Sequence, residues 1–385
     1  MYKPLSILYD ARITGQDGIG RCTEFLLKAM DNLLQESHGR LYALSRSSKK
    51  SLPARTDLIS DSTKSYTKSE LTFFTEALKQ AGEAQALICM DYRVPLSEFN
   101  IPVIAVIHDV FRLTDPSLCY SDNQFIECYG VERLQDMIGA TQALDGRLRE
   151  SGFELNFRNE ASHHERYYTT ALTWATHRAD YIVTCSKAVA ADIGKLFPQK
   201  RKIAVVPWGL DHLARDLGER PGNIHHPFIL YVGQNRPHKN FPAVVEAFAS
   251  ARKVQPNLSL VCVGRNFENR NTLSPLFNQH RVSDSVHLLG AVNDPVLCKL
   301  YHDAAALVHL STQEGFGLTP HEALYVGGQA IVSDIPVLHE NLDGVAEFVD
   351  PSDIDAVARK INIGATLFEN YLKSAAINRT MFQTV

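Results

Sequence analysis

Two glutamates near the C-terminal end of the chain, Glu314 and Glu322, have the spacing that best suits a binding or catalytic site. They lie eight residues apart and bracket the glycine-containing loop Gly315–Gly317. An apolar run at 306–310 precedes this loop, which predicts a strand that passes through a glycine turn into a helix. Backbone N–H groups at such a turn can bind an anion or a sugar hydroxyl.

Each glutamate also has a purely structural interpretation. Thr319 can serve as the N-cap of the following helix, with Pro320 at the first helical position. Glu322 then falls three residues after the cap, where its carboxylate would close a capping box. Glu314 can be an ordinary loop carboxylate. The loop alone leaves both interpretations open, so other parts of the chain must decide.

Composition sets the broad class of protein. The chain has 385 residues, of which 45% are hydrophobic and 21% are charged, and this length predicts two domains. A net charge of −4 argues against a general nucleic-acid-binding protein. Seven scattered cysteines without paired spacing indicate buried free thiols in a reducing compartment. The apolar part of residues 1–10 is too short to be read as a signal peptide, and no apolar run reaches the ~20 residues that span a bilayer, so we expect a cytoplasmic protein.

Short apolar runs alternate with helical segments, which predicts doubly wound parallel sheets. The expected strands are at 5–9, 40–44, 86–89, 103–107, 181–185, 202–206, 228–232, 258–263, 286–289, 306–310 and 330–332. Residues 212–227 are rich in proline, glycine, histidine and charge, which predicts an inter-domain linker. We therefore expect an N-terminal domain over 1–211, a C-terminal domain over 228–365 and a final segment over 366–385.

Two candidate positions in the N-terminal half follow predicted strands, where ligands bind in open parallel sheets. Gly18 and Gly20 lie in a loop over 14–22 that does not fit the G-x-G-x-x-G dinucleotide fingerprint. His108 directly follows the strand at 103–107, and we expect the adjacent aspartate to hold the local turn. A structural turn and a structural histidine remain the alternatives at these positions.

Two cations, Arg236 and Lys239, follow the strand at 228–232 and precede a predicted helix. Cationic side chains beside a helix N-terminus can hold a diphosphate. Without further context, two solvated loop cations would explain the same residues. Asp353 and Asp355 form a D-x-D string that could suggest a metal, but acidic residues in a first helical turn need only the helix dipole to explain them. We therefore expect no metal site.

Several of these strings together resemble the retaining glycosyltransferases of family GT4. The spacing of Glu314 and Glu322 around Gly-Phe-Gly resembles the signature of that family, and the string at 233–240 resembles its V-G-x-x-x-P-x-K-N loop. Gly-Ile-Gly-Arg at 18–21 and His-Asp at 108–109 resemble two N-terminal elements of the family. The resemblance is strongest between about 228 and 350.

The resemblance implies a fold and an activity. The fold would be GT-B, in which two Rossmann-like doubly wound parallel-sheet domains face a cleft and the last segment crosses back to the N-terminal domain. The reaction would transfer a hexosyl group with retention from a UDP- or GDP-linked sugar to a hydroxyl of a glycan or lipid-linked acceptor. No cofactor or metal is implied. A lipid-linked acceptor would allow peripheral association with the inner face of the cell membrane.

The resemblance also implies roles for individual residues. Glu314 and His108 would approach the donor sugar, and Arg236 and Lys239 would neutralise the departing diphosphate. The substrate-binding set would comprise Gly18, Gly20, Gly233, Gly315, Phe316, Gly317, Leu318 and Glu322, with the last of these at the ribose.

Two positions depart from the family pattern. Gln234 stands where many members carry arginine directly after the glycine, and Trp208 replaces the asparagine of a P-N-G string. Because of Gln234, a catalytically inactive subunit that binds nucleotide sugars remains an alternative, and a GT-B epimerase acting on UDP-N-acetylglucosamine is a second one. The residues do not distinguish UDP from GDP or glucose from mannose, and they leave the oligomeric state open.

Overall fold

The computed structural model describes residues 4–15, 18–48, 52–198, 202–210, 213, 217–222, 224–265, 267 and 270–382, with side chains up to residue 370. The chain forms two compact units, Met1–Gly209 and Leu210–Val385, and each unit contains one sheet in which all paired strands are parallel. Within the described residues, no helix is long and apolar enough to cross a membrane.

The N-terminal unit is built on a seven-stranded sheet with strand order β3-β2-β1-β4-β5-β6-β7. Its strands are β1 (Ser6–Asp10), β2 (Arg40–Ser45), β3 (Asp57–Ser60), β4 (Ala86–Cys89), β5 (Val103–Val106), β6 (Tyr181–Thr184) and β7 (Lys202–Val205). Its helices are α1 (Gly18–Glu36), α2 (Lys68–Thr72), α3 (Phe74–Ala81), α4 (Phe111–Thr114), α5 (Asp122–Tyr129), α6 (Val131–Glu150), α7 (His163–Arg178) and α8 (Lys187–Leu196).

Helices cover both faces of this sheet, and this explains why the sequence of β1 is mostly apolar. Successive side chains of a strand point to opposite faces, so Leu8 enters the core beneath α3, α6 and α7 while Ile7 and Tyr9 enter the core beneath α1. Trp174 of α7 is buried in the first of these cores, and its indole N–H donates to the carbonyl of Pro95 at 2.9 Å.

The C-terminal unit has a six-stranded sheet with strand order β10-β9-β8-β11-β12-β13. Its strands are β8 (Phe228–Val232), β9 (Ser259–Val263), β10 (Val286–Gly290), β11 (Ala306–His309), β12 (Ala330–Ser333) and β13 (Glu347–Val349). Its helices are α9 (Phe241–Arg252), α10 (Ser274–Gln279), α11 (Asp294–Asp303), α12 (Leu318–Tyr325), α13 (Pro336–Leu342) and α14 (Ile354–Phe382). Two doubly wound parallel sheets were predicted, and this fold class is confirmed.

Some elements were not anticipated. Strands β3 and β13 are the end strands of their sheets and have one buried residue each, so neither shows the continuous apolar run that predicts a buried strand. Helix α6 lies in a region of mixed composition, although its buried residues do recur at helical spacing: Met137, Ala140, Leu144 and Leu148. The final segment begins within α14, whose backbone continues to Phe382, and the last three residues lie outside the described part of the chain.

The segment predicted as a linker is described only in part, since residues 211, 212, 214–216 and 223 lie outside the described residues. Its later portion packs on the C-terminal unit. The N–H of Gly218 donates to the carbonyl of Pro295 at 2.9 Å, and Arg220 Nη1 lies 3.2 Å from Asp303 Oδ2. Ile224 is buried. From Gly218 onward, therefore, this segment is anchored to α11.

Candidate functional site

The loop after β11 leads into α12, and the residue that caps this helix differs from the predicted one. The helix begins at Leu318, and its N-cap is Gly317 in the left-handed conformation, with φ 82° and ψ 53°. Glycine adopts this conformation without steric cost, which allows the helix to begin before Thr319. The predicted N-cap at Thr319 and the capping box with Glu322 are therefore wrong. The hydroxyl of Thr319 instead lies 3.1 Å from His309 Nδ1.

Glu314 is held by two donors within this loop region. Its Oε1 lies 2.5 Å from Lys239 Nζ and 2.8 Å from His309 Nε2. The side chain of Glu314 is only 10% exposed. Burial alone would raise the pKa of Glu314, but the Lys239 ammonium and the His309 hydrogen bond outweigh it and hold this pKa well below its ordinary value. The side chain is therefore a fixed anion at neutral pH.

The loop that carries Lys239 is also joined to the loop of Glu314 through the backbone. Strands β8 and β11 are neighbours in the sheet, so the loops at their carboxyl ends lie side by side. Lys239 ends a 3₁₀ turn at Pro237–Lys239, and the N–H of Thr312 donates to the carbonyl of His238 at 2.8 Å. The two predicted charges thus meet at one edge of the sheet.

Arg236 is oriented by the residue that departs from the family pattern. Its Nε donates to Gln234 Oε1 at 3.1 Å, and the backbone carbonyl of Gln234 accepts from the hydroxyl of Tyr231 at 3.1 Å. Gly233 donates its N–H to the carbonyl of Val263 at 3.0 Å, which fixes the start of the loop. Gln234 therefore directs the guanidinium that follows it.

Glu322 lies on the interior side of α12 and is 2% exposed. Its Oε2 accepts a hydrogen bond from the hydroxyl of Tyr301 in α11 at 2.7 Å. A buried carboxylate is tolerated only when it is hydrogen-bonded, so this contact stabilises the packing of α12 on α11.

Phe316 and Gly317, two members of the predicted substrate-binding set, are held by a histidine that was not predicted. The ring of His321 stacks on Phe316 with centroids 4.4 Å apart, and its Nδ1 donates to the carbonyl of Gly317 at 2.7 Å. Burial lowers the pKa of His321. Gly315 precedes this stack and Leu318 opens α12, so these four consecutive residues lead from the loop after β11 into the helix.

Gly18 and Gly20 were expected in a loop, but the structure places both in the first turn of α1. The predicted extent of the loop, to residue 22, is therefore wrong. Gly20 lies against the preceding backbone, since a Cβ there would come 2.7 Å from the nitrogen of Gly15. That nitrogen donates to Glu24 Oε1 at 3.1 Å. Close approach of the chain to the helix start explains glycine at position 20.

His108 follows β5 at its carboxyl end and is buried. Its Nε2 donates to the carbonyl of Met90 at 2.8 Å, and its ring lies 5.2 Å from that of Trp208. Asp109 is contacted by the Tyr168 hydroxyl, which donates to its carbonyl at 3.2 Å. These contacts hold the turn after β5.

A buried ion network at the carboxyl ends of β1 and β4 was not found from the sequence. Arg12 Nη2 lies 2.7 Å from Asp10 Oδ2, while Glu70 Oε1 lies 2.8 Å from Arg46 Nη2 and 3.2 Å from Arg93 Nη1. Burial would lower the pKa of Arg12, but the adjacent Asp10 carboxylate raises it above its ordinary value. Because its members come from distant segments, local sequence patterns do not reveal it.

Asp353 performs the helix-end role that was expected for it. Its Oδ1 accepts from the N–H of Ala356 at 2.9 Å, at the start of α14. Over the part of the chain that the structure describes, no cluster of three or more His, Cys, Asp or Glu side chains is arranged to hold a metal ion. The predicted absence of a metal requirement stays a prediction.

The structure thus places the C-terminal candidates on the β8–α9 loop, on the loop after β11 and in α12, with Lys239 and Glu314 in contact, while His108, Gly18 and Gly20 belong to the N-terminal unit. Sequence reasoning missed His309, Tyr301 and the role of Gln234. A polar residue at the last position of a buried strand was the available signal for His309.

Comparison with known proteins agrees with this geometry. Residues 220–369 match the family described as Glycosyl transferases group 1. An O-antigen chain mannosyltransferase of Salmonella typhimurium is 32% identical over 191 residues, which cover 49% of this chain and 51% of the relative. A GDP-mannose:cellobiosyl-diphosphopolyprenol alpha-mannosyltransferase of Xanthomonas campestris is 24% identical over 216 residues, which cover 55% and 56%. The chain spans about half the length of these curated relatives.

The solved structure of WaaG, a glycosyltransferase involved in lipopolysaccharide biosynthesis, matches with a TM-score of 0.63 at 17% identity. The match covers 95% of this chain and 94% of that one. At this level of identity the likeness shows the fold alone, and the predicted GT-B fold class is confirmed.

Proposed function

We propose that this chain transfers a hexosyl group from a nucleotide-diphosphate sugar to an acceptor hydroxyl with retention. The match of residues 220–369 to Glycosyl transferases group 1 supports this activity. One observation carries the proposal. The anion Glu314 and the cation Lys239 come from loops at the carboxyl ends of two neighbouring strands and meet at 2.5 Å. This is the edge of a parallel sheet where ligands bind.

The cations of the β8–α9 loop suit a departing diphosphate. An ammonium group has three donors, so Lys239 can keep its contact with Glu314 and still donate to phosphate oxygens. Arg236, oriented by Gln234, adds a second cation in the same loop. Groups fixed before the reaction stabilise charge that develops on the leaving group without reorganising. Together they would let transfer proceed without a metal.

The carboxylates suit the sugar and the nucleoside. Glu314 is ionised, so it can accept from a sugar hydroxyl and stabilise positive charge that develops at the ring. Gly315–Leu318 would contribute backbone N–H groups at the same turn. We assign ribose hydroxyls to Glu322, whose Oε2 is held by Tyr301. From the N-terminal unit, we assign His108 to the sugar and the amides near Gly18 and Gly20 to the diphosphate.

The names of the relatives favour a particular donor and acceptor. One is named an O-antigen chain mannosyltransferase, and the other is named for GDP-mannose and a cellobiosyl-diphosphopolyprenol. Among UDP- and GDP-linked sugars we therefore place GDP-mannose first, and among acceptors a glycan linked to a diphosphopolyprenol. Such an acceptor would bring the protein, which we place in the cytoplasm, to the inner face of the membrane.

A donor panel tests the proposal. Purified protein is incubated with GDP-mannose, UDP-glucose, UDP-galactose or UDP-N-acetylglucosamine and a diphosphopolyprenol-linked oligosaccharide, and the new linkage is read by NMR. We expect a product whose anomeric configuration is that of the donor, and no loss of rate in EDTA. A glycoside of inverted configuration, or binding without transfer, would contradict the proposal. Release of an epimerised sugar instead would indicate the epimerase alternative.

A requirement for added Mn²⁺ or Mg²⁺ would contradict the metal-independent part alone. In that case attention would turn to Asp353 and Asp355 at the start of α14. Glu314→Gln serves as the matched control for the whole panel, because it removes the charge at the proposed site while keeping the size of the side chain.

A further inference from the structure

His309 ends the buried strand β11 and contacts three polar side chains around the proposed site. Its Nε2 lies 2.8 Å from Glu314 Oε1 and 3.2 Å from the hydroxyl of Ser311, and its Nδ1 lies 3.1 Å from the hydroxyl of Thr319. The side chain is 3% exposed. Both ring nitrogens are therefore engaged within the protein interior.

The chemistry of its neighbours determines which nitrogen of His309 carries the proton. Glu314 is held as a carboxylate, which can only accept, so Nε2 of the imidazole must donate to it. In the neutral ring Nδ1 then accepts, and the hydroxyl of Thr319 is a suitable donor. The contacts therefore select the Nε2–H tautomer. In functional histidines generally, the hydrogen bond made by one ring nitrogen determines whether the other nitrogen carries the proton.

Both donors that contact Glu314 meet the same oxygen. Lys239 Nζ and His309 Nε2 lie 2.5 and 2.8 Å from Oε1, and Lys239 donates its hydrogen bond to that atom. The two donors reach Oε1 from different elements, the β8–α9 loop and the end of β11. An oxygen anchored from two directions fixes the plane of the carboxylate and leaves Oε2 as the atom that a ligand would meet.

We propose that His309 is a positioning residue, which with Lys239 anchors Glu314 Oε1 so that Oε2 is presented to the donor sugar. This inference rests on the proposed glycosyl transfer. His309 also contacts Thr319 in the first turn of α12. His309 therefore contacts both the Glu314 carboxylate and the first turn of α12. It fixes the position of the carboxylate relative to the backbone groups of Gly317 and Leu318.

A histidine is costly at this position unless its contacts serve a purpose. Strand β11 is buried along its whole length, and an apolar side chain would fill the same volume without desolvating two polar nitrogens. A catalytic carboxylate, in contrast, has to be held in its productive orientation, because small displacements of reacting groups cost large factors in rate. Positioning of Glu314 explains the histidine, whereas packing of β11 alone does not.

Three variants separate positioning from packing. His309→Gln keeps an N–H donor near the position of Nε2, His309→Phe keeps a ring and removes both nitrogens, and Thr319→Val removes only the hydroxyl that faces Nδ1. We expect His309→Phe to lower kcat by about tenfold or more with the donor KM changed less than about threefold, since a constraint felt mainly in the transition state acts on kcat. We expect His309→Gln to recover most of that loss and Thr319→Val to lose less than His309→Phe.

A packing role makes the opposite prediction. If His309 only fills space, His309→Phe should be the better tolerated substitution and His309→Gln the worse one, and this order would overturn the proposal. Thermal denaturation of each variant reports whether it folds. Should His309→Phe fail to fold, the kcat of Thr319→Val and the tautomer of His309 in the unmodified protein decide the question.

The tautomer can be measured without any assay of transfer. Two-bond ¹H–¹⁵N correlation spectra of the ¹⁵N-histidine-labelled protein distinguish the Nε2–H from the Nδ1–H form. We expect the neutral ring of His309 to be the Nε2–H tautomer, with the Nε2 signal altered in Glu314→Gln. An Nδ1–H tautomer would overturn the positioning role even if transfer is observed. If no donor is transferred by the unmodified protein, the proposed function fails, while this spectrum still tests the arrangement of His309 and Glu314.

Discussion

Tyr301 donates a hydrogen bond of 2.7 Å to Glu322 Oε2, and the two residues are 1% and 2% exposed. The pair joins α11 to α12 in the interior of the C-terminal unit. Glu322 is therefore a structural residue of α12, in addition to the ribose contact that we propose for it. A change at either partner should first be visible in the free energy of unfolding.

Tyr301→Phe is expected to lower the free energy of unfolding by about 0.5–1.5 kcal/mol, the net contribution of a typical intramolecular hydrogen bond. Chemical denaturation measures this value. Tyr325→Phe is the matched control, because Tyr325 lies on α12 but is 60% exposed. Equal stability of the two variants would show that the Tyr301–Glu322 contact contributes nothing to the packing of α12.

Lys239→Ala is expected to lower kcat/KM at least tenfold, because the ammonium that meets both Glu314 and the proposed diphosphate is removed; loss of one such preorganised group costs about 3 kcal/mol in a transition state. Steady-state kinetics with the donor identified by the panel measure the effect. Lys253→Ala, at an exposed position just after α9, is the control and should keep its rate. Unchanged kinetics in Lys239→Ala would leave Lys239 as a loop cation without a role in the reaction.

Glu314 predicts a specific dependence of stability on pH. Burial would raise the pKa of this carboxyl, but Lys239 and His309 lower it well below its ordinary value in the folded chain. In the unfolded chain a glutamate takes up its proton near pH ~4.3. The stabilisation from Glu314 is therefore fully present above that pH and is lost as the pH falls toward the folded pKa.

Glu314→Gln should consequently show a shallower loss of stability with acid than the unmodified protein, over the range below pH ~4.3 where the difference in proton uptake acts. Denaturant unfolding at a series of pH values measures both slopes. Glu340→Gln, the same substitution at a glutamate of α13, is the matched control. Parallel slopes for Glu314→Gln and the unmodified protein would contradict the lowered pKa.

The fold class was predictable because buried parallel strands have a strong local signal. Each of the eleven predicted runs falls on an observed strand. Ser186, directly after β6, shows the same local control, since its hydroxyl accepts from the N–H of Val189 at 3.1 Å and caps α8. Such features depend on neighbouring residues alone. The fold class and the positions of these eleven strands therefore follow from the sequence without any knowledge of tertiary contacts.

The details of the site depend on contacts that local patterns do not contain. Lys239 and Glu314 are 75 residues apart, and each could be nominated separately but not paired. Thr319 followed by proline is typical of an N-cap, yet its hydroxyl contacts His309, ten residues earlier. A left-handed Gly317 then begins the helix instead. Tertiary contacts thus overrode the local preference at this loop of the proposed site.

Gly264 and Gly327 offer a last comparison, between two glycines that both have positive φ, 138° and 83°. A Cβ at Gly264 would overlap the carbonyl oxygen of Gly233 and lie 2.8 Å from its carbonyl carbon, whereas a Cβ at Gly327 meets no described heavy atom within 4 Å. Alanine at either position strains the backbone by about 1–3 kcal/mol. Gly264→Ala must also displace Gly233, from which the loop of Arg236 and Lys239 begins.

We therefore expect Gly327→Ala to lower stability while leaving donor affinity unchanged, and Gly264→Ala to lower both. The reason is that the atoms displaced by a Cβ at Gly264 belong to the backbone of Gly233. This backbone cannot shift without also moving the cations that follow it in the loop. Denaturant unfolding gives the stability of each variant, and calorimetry with GDP-mannose gives its affinity. If Gly264→Ala binds the donor as tightly as Gly327→Ala does, the position of the β8–α9 loop does not depend on the close approach of Gly264 to Gly233.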